Sequence, residues 1–227
     1  MKTLRLVLWP TVITALVSIA RLAGEVIEQI TARSGGALAP LGITWCVFVF
    51  GGWFGYRLAR GAGSRPTVKL APLVGLLCMA ALIGSVMWQF GPLLEAAPTR
   101  ENFELVRAAV FVLVGIAAGL AVVAFVLWPR LAWTMLLYAI PARLTVLALT
   151  WLAKIRGWDT HYTKFGPPGI ELDGIGETML AATVAQIGFW VPFTIVGGTF
   201  AGMLVQLLFG RGVTRPATAA PLPSSGS

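Results

Sequence analysis

The stretch LAWTMLLYAIPARLTVLALTWLA, residues 131–153, decides the fold. Its only charge is Arg143, and the polar segment GWDTHYTKFGPPG, residues 157–169, follows shortly after it. A helix rises about 1.5 Å per residue, so a run of this length covers the roughly 30 Å hydrocarbon core of a bilayer. The stretch therefore predicts a helix that spans a membrane and ends in a polar loop.

Five more apolar runs occur on either side of this one, at residues 4–24, 41–59, 70–90, 103–127 and 179–209. The chain is 57% hydrophobic and 11% charged, whereas soluble domains are about 45–50% apolar and about 25% charged. We therefore predict an all-α, polytopic membrane bundle of about six transmembrane helices within residues 1–210. The first run follows basic residues as a signal peptide does, but its early Trp9-Pro10 favours a retained span.

The final segment, residues 211–227, is rich in Pro, Ala and Ser and has few large apolar side chains. Such a composition cannot bury enough apolar surface to order the chain. We therefore expect residues 211–227 to form a disordered cytoplasmic tail.

The distribution of charges predicts the orientation. One set of loop ends carries nine basic residues and no acid, and the other carries seven basic residues and all nine acids. Because cytoplasmic loops are enriched in Lys and Arg, the acid-free side should be cytoplasmic. Both termini are then cytoplasmic and residues 155–178 external, in a multi-pass protein of the cytoplasmic or plasma membrane.

Composition and motifs also argue against several function classes. The net charge of +8 is spread between apolar runs and forms no single basic face, so no nucleic-acid partner is expected. The chain has one histidine and two separate cysteines, Cys46 and Cys78, so we expect no metal, haem or other cofactor. It also lacks the common nucleotide-binding, hydrolase and metalloprotease motifs.

Arg143 marks the first candidate site, which lies inside the membrane. A charge at the bilayer centre costs about 2.5–3.5 kcal/mol on insertion scales, so its side chain should face the bundle interior. Glu25 and Glu28 are possible partners, and so is the Leu137 carbonyl that Pro141 leaves without its usual helical donor. A structural arginine that bonds carbonyls is the competing interpretation. The residues of this candidate polar site are Arg143, Tyr138, Gln186, Glu25 and Glu28.

The segment after residue 153 supplies the second candidate site, on the external surface. Asp159 and His161 are two residues apart, a spacing that allows them to share a proton or, with further carboxylates, to bind a metal. An ordinary interfacial loop, anchored by its aromatic residues, is the competing interpretation. The residues of this candidate site are Asp159, His161, Tyr162, Lys164, Glu171 and Asp173.

Small residues four apart mark close-packing faces at Gly51–Gly55, Gly115–Gly119 and Gly198–Gly202. Two interpretations follow: the faces join helices within one bundle, or they join the bundle to other membrane subunits or to a second copy. Because few polar groups lie at mid-span, we favour a non-enzymatic accessory or scaffold membrane subunit. The alternatives are a transporter of a small solute or ion with its site near Arg143, and a membrane enzyme with an external Asp159/His161 site.

Overall fold

A computed structural model describes residues 3–31 and 41–209; the predicted tail at residues 211–227 lies outside these ranges. The α-helices are α1 (Thr3–Val26), α2 (Thr44–Ala62), α3 (Ala71–Phe90), α4 (Arg100–Leu127), α5 (Pro129–Arg156), α6 (Ile175–Thr183) and α7 (Val191–Phe209). Short 3₁₀ turns cover Gly91–Leu93 and His161–Thr163, and a π-helical segment, Val184–Trp190, joins α6 to α7. Strands β1 (Lys164–Phe165) and β2 (Ile170–Glu171) form one antiparallel hairpin.

The described chain is therefore all-helical apart from this hairpin, as the sequence predicted. Five helices are long and apolar enough to cross a membrane: Thr3–Val26, Ala71–Leu93, Arg100–Leu127, Pro129–Arg156 and the continuous helix Ile175–Phe209. Helix α2, which covers much of the predicted run 41–59, is not among these five. Arg57, Arg60 and four glycines lower the hydropathy of α2 below the level that the other five reach. The predicted sixth span thus stays a prediction.

Helix ends follow from local residues. The hydroxyl of Thr99 accepts a hydrogen bond from the backbone N–H of Asn102 at 3.3 Å, which caps α4. Trp128 separates α4 from α5, and Pro129, which has no N–H to satisfy, begins α5. At the other end of α5, Gly157 adopts a left-handed φ of 64°, so the chain turns sharply into the polar segment.

Helix α7 lies at the centre of the bundle and packs most extensively against α2. A Cβ built on Gly51 would overlap the backbone of Gly198, and one built on Gly55 would overlap that of Gly202. The glycine faces of α2 and α7 therefore contact each other inside the bundle. By contrast, nothing lies within 4 Å of a Cβ built on Gly115 or Gly119 of α4.

The polar segment and the β-hairpin cover one end of the bundle, which we call the loop face. The ends of α1, α3 and α5 and the starts of α2, α4 and α6 lie there. Tyr162 donates a hydrogen bond from its hydroxyl to the Ser18 carbonyl of α1 at 2.9 Å. Lys154 donates to the carbonyl of Leu172, just after β2. The loop face is therefore ordered by contacts to the helices below it.

Candidate functional sites

Arg143 is buried near the middle of α5, with 4% of its surface exposed. Its Nη1 lies 3.5 Å from Gln186 Oε1, and its Nη2 lies 3.3 Å from Thr194 Oγ1. Its Cζ lies 5.0 Å from the ring centre of Trp190, a cation–π contact. Within the described residues its Nε has no hydrogen-bond partner. The guanidinium is thus removed from water but only partly satisfied by long contacts to neutral oxygens.

The three contacts of Arg143 are spaced four residues apart along one helix, at Gln186, Trp190 and Thr194. They extend from the π-helical segment Val184–Trp190 into the first turn of α7. Thr194 also donates its hydroxyl proton to the Trp190 carbonyl at 2.7 Å, which leaves its oxygen free to accept from Arg143. Short π-helical turns occur frequently at functional sites. Arg143 therefore contacts three successive turns of this irregular helix, one of them through the Trp190 ring.

The two acidic residues of the predicted intramembrane site, Glu25 and Glu28, lie elsewhere. All nine acidic residues fall within the described ranges, and none forms an ion pair with Arg143. The expectation that Glu25 or Glu28 compensates Arg143 is therefore not met, because Glu25 is bound at the loop face and Glu28 is exposed beyond the end of α1. The Tyr138 hydroxyl lies 2.7 Å from Thr14 Oγ1.

Glu25 instead belongs to a buried ionic cluster with Arg21 and His161. Its Oε1 lies 2.9 Å from Arg21 Nε and 2.7 Å from His161 Nδ1. Its Oε2 accepts a hydrogen bond from the backbone N–H of His161 at 2.9 Å. The side chain of Glu25 is 0% exposed and that of Arg21 6%. This cluster ties α1 to the polar segment that follows α5.

The protonation of His161 follows from its partners. Because a carboxylate oxygen only accepts, the hydrogen bond to Glu25 assigns the imidazole proton to Nδ1 of His161, a nitrogen that also lies 3.1 Å from Arg21 Nε. Burial lowers the pKa of His161 below its ordinary value of 6.5, although the hydrogen bond to Glu25 opposes the change. Burial also raises the pKa of Tyr162, which therefore stays neutral and donates to the Ser18 carbonyl. The cluster holds one cation, one anion and a neutral imidazole.

The predicted external residues do not converge on one point. Asp159 is exposed and forms an ion pair with Lys164, while His161 faces Glu25. Glu171 lies opposite Lys164 in the backbone register of the hairpin, and both Glu171 and Asp173 are exposed. Across residues 3–31 and 41–209, no three His, Cys, Asp or Glu side chains are grouped closely enough to hold a metal ion. The structure thus divides the predicted site into a buried cluster and a solvated hairpin.

A large groove is the feature that sequence reasoning missed. It has a volume of about 1380 Å³ and lies between α2, α3, α4 and the continuous helix Ile175–Phe209. A typical small-molecule pocket measures roughly 300–1,000 Å³, so this groove is large. Its walls include Ile83, Met87, Phe111 and Leu180, which are exposed on the side of the bundle. The groove therefore opens sideways, toward the region that lipid would occupy.

The groove has a polar mouth and an apolar floor. Its hydroxyl-bearing and charged wall residues are Thr44, Glu104, Arg107 and Glu177, all at the loop face. Its wall on α4 runs from Phe103 to Leu113, about 15 Å at 1.5 Å per residue. That length is half of a hydrocarbon core of roughly 30 Å. Phe189, Trp190 and Phe193 form its floor.

Trp190 joins the groove to the intramembrane polar site. It lines the groove, whereas Arg143, whose guanidinium it covers, is not a wall residue. One sequence signal could have indicated the contacts of Arg143. Gln186, Trp190 and Thr194 follow one another at intervals of four residues, which places them on one face of a helix. No signal marked the groove, since side chains that line it are as apolar as those that face lipid.

Comparisons of the chain with protein-family models, with curated proteins and with solved structures found no match.

Proposed function

We propose that this chain is a non-enzymatic, multi-pass membrane protein that binds a long acyl chain of a membrane lipid in the groove between α2, α3, α4 and the helix Ile175–Phe209. The observation that carries the proposal is the groove itself, which is apolar along its length, open sideways and about one leaflet deep. We assign an acyl chain as the occupant because the walls below the mouth carry no charged or hydroxyl group.

The proposal includes the topology expected from the charges. Helix α2 makes a sixth crossing in contact with α7, both termini are cytoplasmic, and the loop face is external. The exposed acids of the loop face and the acid-free arginines of the opposite face support this orientation. The groove then opens into the outer leaflet.

An accessory or scaffold role is compatible with lipid binding. The glycine faces of α2 and α7 are used within the bundle, so we assign contacts with other subunits or with a second copy to Gly115 and Gly119 of α4. The enzyme alternative has less support, because Asp159 and His161 have separate partners and neither lines the groove.

The test uses the full chain in detergent micelles and a phosphatidylcholine with a photoreactive acyl chain. Ala108 lies on the groove wall of α4, and Ala118 is exposed on the same helix outside the groove. Ala108→Trp should fill the groove and remove most of the photolabelling, whereas Ala118→Trp should retain it. Label that maps to α2–α4 and to Ile175–Phe209 supports the proposal. Equal labelling of the two variants refutes it.

A further inference from the structure

We infer that the ligand of the groove is an anionic single-chain amphiphile, such as a long-chain fatty acid, whose acid group binds Arg143 after the Trp190 ring moves aside. The inference rests on the proposed acyl-chain groove and adds the chemistry of the group at its floor. It begins from a guanidinium that is 4% exposed and is paired with none of the nine acids in the described ranges.

The hydrogen bonds of Arg143 leave capacity for an anion. Its contacts to Gln186 and Thr194 are long, at 3.5 and 3.3 Å, and both acceptors are neutral. Its Nε is buried without a partner in the described part of the chain. Hydrogen bonds between a guanidinium and a carboxylate are shorter and stronger than these. An anion at this position would therefore satisfy donors that the chain itself leaves poorly satisfied.

The route to Arg143 passes through the groove. Trp190 contacts both, because its ring lies over the guanidinium and also forms part of the groove floor. The π-helical segment Val184–Trp190 carries this ring, which also packs against the rings of Phe189 and Phe193 at 5.2 and 5.1 Å. Gly188 in the same segment is covered by Val114 of α4, so the space for a moved Trp190 ring lies on the groove side. A rotation of the Trp190 side chain exchanges its cation–π contact for an ion pair with the ligand.

The geometry also selects a ligand with a single chain. The acid group at the floor lies at mid-span, so the acyl chain occupies the apolar walls above it. An ionised acid is tolerated at that depth only when it is paired with a cation. A lipid whose headgroup stays at the mouth would meet Arg107, Glu104 and Glu177 instead and would leave Arg143 untouched.

The experiment compares hexadecanoic acid with hexadecanol, which have the same chain and differ in the acid group. Binding to the full chain in zwitterionic nanodiscs is measured at a pH where the acid is ionised. Wild type should bind the acid about tenfold more tightly than the alcohol, which corresponds to about 1.4 kcal/mol. Arg143→Gln should remove this preference by weakening the binding of the acid, and Arg143→Lys should retain part of it.

Arg107→Gln at the mouth is the matched control, and it should leave the preference intact. Equal binding of acid and alcohol by wild type overturns the inference, as does a preference that disappears in Arg107→Gln and not in Arg143→Gln. Wild type also gives a test that does not depend on the folding of a variant. Hexadecanoic acid with a photoreactive group beside the carboxylate should label Trp190 or Phe193; label at the mouth overturns the inference.

These outcomes separate the inference from the proposed function. If acid and alcohol bind equally and Ala108→Trp weakens both, the acyl-chain groove stands and the role of Arg143 falls. If Ala108→Trp weakens neither ligand and no label maps to the groove, the proposed function itself falls.

Discussion

Gly51 of α2 faces Gly198 of α7 so closely that a Cβ added to Gly51 would overlap the Gly198 backbone. Close backbone approach at small residues is a main source of helix association in lipid, where the hydrophobic effect contributes little. This pair and the neighbouring pair Gly55–Gly202 hold α2 against the central helix. Since Thr44 and Val49 of α2 and Phe193 of α7 all line the groove, the contact holds two of its walls together.

We predict that Gly51→Ala lowers the free energy of unfolding by about 1–3 kcal/mol, because the added methyl group overpacks a backbone contact. Gly84→Ala on α3 is the control, since nothing lies within 4 Å of a Cβ there. That change should be neutral or stabilise by up to about 1 kcal/mol through helix propensity. Thermal unfolding of each variant in detergent measures the difference. Equal melting temperatures for the two variants would contradict the contact.

The contact between Arg143 and Thr194 predicts a second difference between matched variants. Thr194 and Thr145 both donate to the carbonyl four residues earlier, but only Thr194 also accepts from Arg143. Thr194→Val should therefore destabilise by about 1–2 kcal/mol, because a buried charged donor loses its acceptor. Thr145→Val should change stability by less than about 0.5 kcal/mol. Thermal unfolding in detergent again provides the measurement, and an equal loss in both variants would argue against the contact.

Glu25 and Glu28 offer a third comparison, at the end of α1. Glu25→Gln leaves Arg21 buried without a counter-charge, and removal of one partner from a buried pair costs about 3–5 kcal/mol. Glu28→Gln changes an exposed side chain and should cost less than about 0.5 kcal/mol. Hydrogen exchange of residues 157–174 reports whether the loop detaches in the first variant. Unchanged exchange in Glu25→Gln would show that the cluster does not anchor the loop.

The His161 cluster predicts that the loop face loosens in acid. Burial lowers the pKa of His161 from 6.5, so the stability that neutral His161 contributes is present above pH 6.5 and is lost as pH falls through the lower pKa. Protonation would place a second cation beside Arg21. Hydrogen exchange of residues 157–174 should therefore accelerate between about pH 7.5 and about pH 5, after correction for intrinsic rates. His161→Gln should remove most of this acceleration. A variant that keeps the full pH response would assign it to another group.

The helices could be predicted well from the sequence. The run at residues 131–153 lies within α5 (Pro129–Arg156), and the run at residues 103–127 lies within α4 (Arg100–Leu127). Long apolar runs locate helices because any chain segment in lipid must satisfy its own backbone hydrogen bonds. The π-helical segment Val184–Trp190 was not predictable, since its residues differ little in type from those of an ordinary apolar helix.

The candidate sites were predictable only in part. A buried position for Arg143 followed from the cost of exposing a charge to lipid, and the structure buries it. Its partners depended on the rotation of another helix, which the sequence of α5 does not specify. Pairing Asp159 with His161 relied on their proximity in the chain, but the two side chains point to different partners, Lys164 and Glu25. Proximity along a loop was thus a poor guide to proximity in space.

The glycine contact between α2 and α7 also affects the order of assembly. The chain is synthesised from its N-terminus, so α2 exists long before Gly198 and Gly202 are made. Until then α2 lacks the surface that receives its glycine face. The groove walls on α2, α3 and α4 are joined by their fourth wall only after the helix Ile175–Phe209 arrives. The groove is therefore incomplete until the helix Ile175–Phe209 has been synthesised and has packed against α2 and α4.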